Sequence, residues 1–511
     1  YVAQQDNSTL RVNYRSDGSS ISEDDWEPTA GGESAHIAVD PLNNDIVYGG
    51  SYGGYLTRVN HKTNSERGIN VWPDNPMGYG AEGMKYRFQW NFPIHFSKHN
   101  PKKLYTFSNH VHVSENEGQS WKIISPDLTR NDPEKLKSSG GPITQDNTGV
   151  EYYCTIFAAN ESPLKEGLMW VGSDDGLIHL TQDGGENWEN VTPTQMPKWL
   201  MINSIEPSPF DPAVCYVAGT LYKTGDFKPY LYKTSDYGKS WTKITNGIKS
   251  EDFTRVLRAD PAKKGLLYAG TESGMYISHD DGISWNSFQL NLPIVPITDL
   301  TIKEHSLIVA TQGRSLWILD DLTVLHQLNA ETIKKEITLF KPKDSYRTQG
   351  RAQSNPSLTE GNNLPNGVVV YFNVKAFDET KDTLKLHFKE KNGRTIKTYS
   401  TASNKEKLTV SPGGNQFVWN TRYEGAETLD GMIFWSASFS GAKAVPGTYD
   451  VIIEKNGLTE KQEFTILSDP RAEVSVAQMQ KQFDFVNQVN QTIDAAHKAI
   501  KNIRSINKKL S

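Results

Sequence analysis

Three carboxylates, Glu82, Asp146 and Glu151, stand in two long stretches that mix Gly and Pro with rings and charges, Trp72 to Trp90 and Ser125 to Tyr153. Two such groups facing each other could carry out glycoside hydrolysis, one protonating the glycosidic oxygen while the other activates water or acts as nucleophile. The same stretches supply Arg87, Trp90, Asn147 and Tyr152, and Arg314 follows a later strand-like run. Together these five form a candidate ligand-binding set, with rings that stack on a sugar face or a peptide side chain and a guanidinium that clamps a carboxylate. Each also has a plainer reading. Arg87, Trp90 and Tyr152 suit core packing with the Arg stem laid along apolar surface, and Glu82, Asp146 and Glu151 suit loop capping or simple solvation.

Other constellations are weaker. Arg58, Arg87 and Arg314 each lie near a strand, and a sialidase would need three arginines on one carboxylate, but nothing orients them. His110 and His112 alternate about Val111 and could face one side as metal ligands, yet no third ligand accompanies them at metal spacing. Asp127, Asp132 and Asp146 match no calcium-loop template. Phosphate-loop, nucleophile-elbow and zinc-peptidase patterns are missing, so no cofactor and no metal is expected.

The elements that would position these residues are announced by a repeat, hydroxyl-x-Asp-x-Gly-x-x-Trp. It reads Thr181 to Trp188 with Asp183, Thr234 to Trp241 with Asp236, Ser278 to Trp285 with Asp280, and, as a variant, Ser114 to Trp121 with Asn116. The acid or amide can accept backbone N–H groups, the Gly supplies a positive φ, and the Trp plugs the corner with apolar surface. These are structural corners, not sites of chemistry. Strands rich in Tyr, Val and Gly precede them, and the Trp spacing is near the ~40–45 residues of a four-stranded propeller blade. The fold class is therefore mainly β. Residues 1–335 are expected to form a propeller of about seven blades, or half of a larger or tandem one. A linker and a small β-sandwich of immunoglobulin or fibronectin type follow over 336–469, with strands that include Met432–Trp435. An amphipathic helix occupies 470–511, opened by the capping box Ser475–Gln478. Its stripe of Met479, Phe483, Val486, Ile493 and Ile500 is expected to meet a returning helix of the same polypeptide or another protein.

The chain of 511 residues carries a net charge of −6, so no basic stripe points to nucleic acid, and no apolar run approaches a membrane span. Cys154 and Cys215 read as buried thiols rather than a disulfide. No secretory signal opens the sequence at Tyr1.

The repeats, the run Glu251–Pro261, the segment Gly265–Gly274 and the run Ala310–Asp321 together resemble the sortilin-type Asp-box (BNR) repeat proteins of Bacteroidota, often labelled glycosyl hydrolases. The resemblance implies that this chain is the later half of an exported, cell-surface, periplasmic or extracellular protein whose earlier half is a partner. Two functions follow. One is a propeller that captures a peptide or glycan at its mouth and assembles with envelope proteins. The other is a glycoside hydrolase with paired carboxylates in a propeller cleft. Repeat content fixes shape rather than chemistry, which favours capture.

Overall fold

The computed structural model describes residues 1–34, 36–75, 80–146, 152–348, 359–433 and 438–510. The chain divides into two compact units, one made of Tyr1–Asn13 and Glu23–Leu319, the other of Tyr14–Ser22 and Asp320–Ser511. A short early segment therefore folds with the second unit. Its bonds explain why: the Ser16 amide donates to Asn363, Ile21 forms a bridge with Gly361, and Arg471 pairs with Asp17.

The first unit is a series of antiparallel sheets in chain order. Sheet A (Val2–Gln4, Ser8–Val12, Trp26–Pro28) has three strands. Five four-stranded sheets follow. They are B (Ile37–Val39, Ile46–Ser51, Tyr55–Asn60, Ser65–Gly68), C (Ile94–Phe96, Leu104–Phe107, Val111–Ser114, Lys122–Ile123) and D (Ile156–Glu161, Met169–Ser173, Ile178–Thr181, Glu189–Asn190). E (Met201–Pro207, Cys215–Leu221, Asp226–Thr234, Thr242–Lys243) and F (Thr254–Ala259, Leu267–Thr271, Met275–Ser278, Asn286–Ser287) complete them, and G (Ile297–Lys303, Ser306–Thr311, Leu316–Leu319) has three strands. In B to G the strands pair in simple sequence order, the up-and-down meander of a propeller-like fold.

His36, just before sheet B, is exposed to solvent, yet burial among protein atoms is the main cause lowering its pKa, and Asp299 of G and Arg258 of F also act on it. His95 of C is pushed down to about 3, chiefly by desolvation, with Lys98 and His36 contributing. Glu206 of E feels Arg258, Lys98 and Asp299. Groups on or beside the first strands of B, C, E, F and G therefore lie close enough to act on one another.

The Trp corners do more than plug themselves. Within each, the hydroxyl of Ser114, Thr181, Thr234 or Ser278 accepts the amide of Gly118, Gly185, Gly238 or Gly282 at 2.8–2.9 Å. Asn116, Asp183, Asp236 and Asp280 accept the amide just before the Trp at 2.9–3.0 Å. The indole then reaches the preceding sheet: Trp121 donates to the Ile69 carbonyl, Trp188 to Ile124, Trp241 to Val191 and Trp285 to Ile244, at 2.7–2.9 Å. Each acceptor lies just past the last strand of its sheet. A Cβ on Gly282 would sit 2.7 Å from Ile244 Cδ1, at a φ of +88°, so close approach and backbone conformation both require glycine there.

The second unit pairs a three-stranded sheet (Ile337–Leu339, Val368–Val374, Gly413–Trp419) with a five-stranded one ordered Ser345–Arg347, Leu458–Ser468, Gly447–Lys455, Leu384–Glu390, Thr395–Ser400. Strict alternation in Val368–Val374 sends Val368, Val370, Phe372 and Val374 into a core shared with Leu384, Leu386 and Phe388. There Trp419 stacks on Phe388 at 4.5 Å. The strand expected at Met432–Trp435 is not formed at Met432 and Ile433, which follow a turn at Gly431, and Phe434 and Trp435 lie outside the described residues.

The helix runs Val476–Leu510, with Ser475 and Gln478 making the reciprocal cap. The stripe is not left wholly for an outside partner. Met479 is buried, Phe483 packs edge-on against Tyr423 at 4.7 Å, Asn490 and His497 are buried, and Asp494 accepts the Glu427 amide. Val486 and Ile493 are half-buried and Ile500 is exposed. Tyr423, Glu427, Phe439 and Ser440 of the same unit meet this face, and a helix of this length gains stability only when an apolar face is covered. Among the described residues no helix is long and apolar enough to cross a membrane.

Candidate functional site

In an antiparallel meander, the loop entering a sheet's first strand lies at the same end as the turn joining strands two and three. The long stretches 69–93 and 124–155 are both entry loops, so they share one end of the first unit. They also pack on each other: Ala81, Leu136, Tyr152 and Cys154 form a buried cluster with Met84 and Tyr153 against it. Gly80 lies so close to Ser138 that a Cβ would stand 2.2 Å from its hydroxyl.

Arg87 is the tie between these loops. It is buried, its Nη2 bonds Asp127 at 2.8 Å and Thr129 at 3.3 Å, and its Nε donates to the Cys154 carbonyl at 3.1 Å. Burial raises the Asp127 carboxyl, but hydrogen bonds from Thr129, Asn109 and Arg87 outweigh it and hold the group below the usual carboxylate range. Its guanidinium is therefore committed inside the fold. Tyr152 is buried in the loop cluster and pushed up to about 12, mainly by desolvation.

A line of rings runs across this end. Trp90 is half-buried and stacks on Tyr52 at 5.4 Å. The neighbouring Gln89 donates to the Tyr152 carbonyl and to Asp174. Next to Tyr152, Tyr153 stacks on Trp199 at 6.1 Å, and the Arg130 guanidinium lies 5.0 Å over the same indole. Arg130 is aimed there by bonds to the carbonyls of Asp175 and Gly176. Trp199 takes a φ of +64° and Cys154 a φ of +58°. Non-glycine residues in this region cost about 1–2 kcal/mol each, and such strain gathers at ligand clamps and other functional positions. Farther round, Tyr222 stacks on Phe253 at 4.9 Å, and Arg255 over that pair is bound to Glu272 at 2.6 Å.

The acids behave differently. Asp174 is buried, and desolvation lifts its carboxyl to about 7 although it accepts the Thr155 amide and hydroxyl. Asp175 accepts the Arg130 amide at 2.7 Å. Both point into the fold. Glu82 is exposed on the turn Ala81–Gly83, and Asp146 is exposed on a two-stranded ribbon with Ser139–Gly140. Glu151 and Asn147 lie outside the described residues.

Arg314 is exposed on the last sheet and donates to the Gly313 carbonyl, while Arg58 pairs with Glu117 at 2.9 Å. Arg58, Arg87 and Arg314 therefore serve three separate contacts. His112 is buried, bonded to Ser108 at 2.8 Å and pushed down to about 3 chiefly by desolvation, whereas His110 contacts the Ser125 carbonyl. Asp132 caps the short helix Pro133–Leu136, so it does not join Asp127 and Asp146. Among the described residues no three His, Cys, Asp or Glu side chains gather as a metal site. Sequence reasoning did not single out Tyr52 or Trp199, and it held Arg130 and Tyr153 within the stretch Ser125 to Tyr153 without a role of their own. Only the position of Trp199 in an entry loop could have marked it.

No family model matches the chain. A curated relative, the oligoxyloglucan-reducing end-specific xyloglucanase of Emericella nidulans, is 26% identical over 302 residues, covering 50% of this chain and 34% of that enzyme. The chain thus spans about a third of the length of the curated relative it matches. Among solved structures, YCF48 from Cyanidioschyzon merolae aligns at a TM-score of 0.40 and 14% identity, over 57% of this chain and 84% of that one. The GH74 xyloglucanase from Xanthomonas campestris aligns at 0.41 and 12% identity, over 83% and 72%. The extracellular domain of a putative hybrid two component system from B. thetaiotaomicron aligns at 0.33 and 14%, over 86% and 55%.

Proposed function

We propose that this chain is part of an exported Asp-box propeller protein that captures a glycan at the loop-bearing end of its first unit. In this reading the second unit is an immunoglobulin-type sandwich, and the exposed face of its helix contacts envelope partners. The observations that support capture are two stacked ring pairs, Tyr52 with Trp90 and Tyr153 with Trp199, on loops joined by the bond of Gln89 to the Tyr152 carbonyl. Flat apolar faces beside amide and guanidinium donors suit a sugar ring, which presents C–H groups on its faces and hydroxyls on its edges. The buried acids at this end hold loops rather than face an opening, which weighs against a catalytic pair.

Titration calorimetry of the full chain against plant, algal and host oligosaccharides tests the reading. Binding that falls at least tenfold in Trp90→Ala and in Trp199→Ala is expected. Binding that survives both substitutions would move the site elsewhere, and a preference for unmodified peptides over every glycan would refute it.

Hydrolysis is the second reading. It is favoured by the partial likeness to a xyloglucanase. New reducing ends released from a glycan by the full chain would establish it.

A further inference from the structure

Cations in the first unit are commonly matched by acids: Arg58 with Glu117, Arg87 with Asp127, Arg255 with Glu272, Arg258 with Asp299. Lys85, Arg130 and Lys135, all carried by the two packed entry loops, are not. Among the described residues no carboxylate side chain pairs with any of them, and each instead lies over a ring. The Lys85 ammonium sits 3.3 Å from the centroid of Trp72, Arg130 lies 5.0 Å and Lys135 5.8 Å from that of Trp199. A ring face holds a cation in place without neutralising it. Meanwhile Asp127, Asp174 and Asp175 are turned inward onto protein donors, Glu134 is paired with Lys137, and the field of Glu82 also acts on Lys137. In a chain of net charge −6, positive charge is thereby held at the aromatic surface by rings rather than by acids.

We propose that the captured glycan is anionic, with its carboxylates or sulfate esters received by Lys85, Arg130 and Lys135 while its sugar rings lie along Trp90 and Trp199. This rests on the capture reading above and adds the charge of the ligand to it. Charge-assisted contacts to a fixed cation are stronger than neutral hydrogen bonds, so the acid groups would supply selectivity that stacking alone lacks.

The test is calorimetry with the full chain and four oligosaccharide probes: a uronate polymer fragment, its carboxyl-reduced form, a sulfated fragment and its desulfated form. Binding to one anionic probe that falls at least tenfold in its neutral counterpart, and that weakens as salt rises from 25 to 300 mM, is the expected result. The pair that shows the drop identifies the anion. Arg130 also bonds loop carbonyls, so its loss could disturb the fold. The double variant Lys85→Gln, Lys135→Gln carries the test instead, since neither ammonium makes a hydrogen bond within the described chain. A loss of roughly tenfold for the anionic probe with an unchanged melting transition supports the proposal. Equal binding of charged and neutral probes would overturn the anion assignment and leave glycan capture standing. Binding of no glycan at all, or of acidic peptides alone, would overturn both.

Discussion

Replacing Trp285 isolates the device that joins neighbouring sheets. Of the four corner indoles it is the buried one, 3% exposed, and it donates to the Ile244 carbonyl of the preceding sheet at 2.7 Å. Trp285→Ala removes the ring from its packed site and leaves that carbonyl without its donor, a loss of about 3–5 kcal/mol. Trp285→Phe keeps most of the apolar area and forfeits chiefly the hydrogen bond, about 1–3 kcal/mol. Trp188→Ala, at a half-exposed corner, loses less transfer energy and is expected below Trp285→Ala. Hydrogen exchange read segment by segment places the loss at one joint, so it is the assay. Trp285→Ala should accelerate exchange roughly a hundredfold on both sides of the joint, in Thr242–Asn246 and in Asn286–Ser287, while Asp320–Ser511 is unchanged. If exchange rises only within the corner Ser278–Trp285 and Thr242–Asn246 stays protected, the indole is a local plug and the inter-sheet argument fails.

Asp174 predicts a pH dependence. Its folded carboxyl, near 7, lies above the ordinary value of 3.8, so the folded form retains a proton that the unfolded chain has released. Stability linked to this group is full below pH 4 and declines as pH rises from about 4 to 7, by about 4 kcal/mol. Asp174→Asn should flatten that decline in urea titrations at pH 4 and pH 8, and an unchanged pH profile would refute the assignment. Arg87→Met should destabilise the first unit by about 3–5 kcal/mol, because Asp127 is left part-buried without its cation, and a change under 1 kcal/mol in urea unfolding would show the ion pair to be dispensable. Met479→Ala should loosen the helix by about 2–5 kcal/mol and speed proteolysis near Val476 without altering exchange in sheets B to F. Equal proteolysis of variant and parent would mean the helix is held elsewhere.

What the sequence disclosed and what it hid follow from how far apart interacting residues lie. The corners were legible because their bonds close within eight residues: Thr234, Asp236 and Gly238 carry their own geometry wherever the chain goes. The onward bond of Trp241 to Val191 was not, since its acceptor is a main-chain carbonyl fifty residues away that any residue could provide. The two entry loops were recognised by composition, yet their inner workings were not. A buried Arg87 and an accessible one look alike in sequence, and the difference is made by Asp127 and by the Cys154 carbonyl, 40 and 67 residues on. Trp199 was passed over because its loop is short and its meaning comes from Tyr153 and Arg130 converging from another loop. The place of Tyr14–Ser22 in the second unit rests on Ser16 meeting Asn363 across 347 positions, beyond the reach of any local pattern. The helix shows the same limit in another form. Its apolar period was plain, but Phe485 at 65% exposed and Met479 at 4% differ only in which faces its own unit, and periodicity does not say which side a neighbour will take. The candidate surface at this end is therefore a property of loops brought together by the sheets. The test that matters is whether Trp90 and Trp199, with Lys85 over Trp72 and Arg130 and Lys135 over Trp199, act on one ligand as one surface.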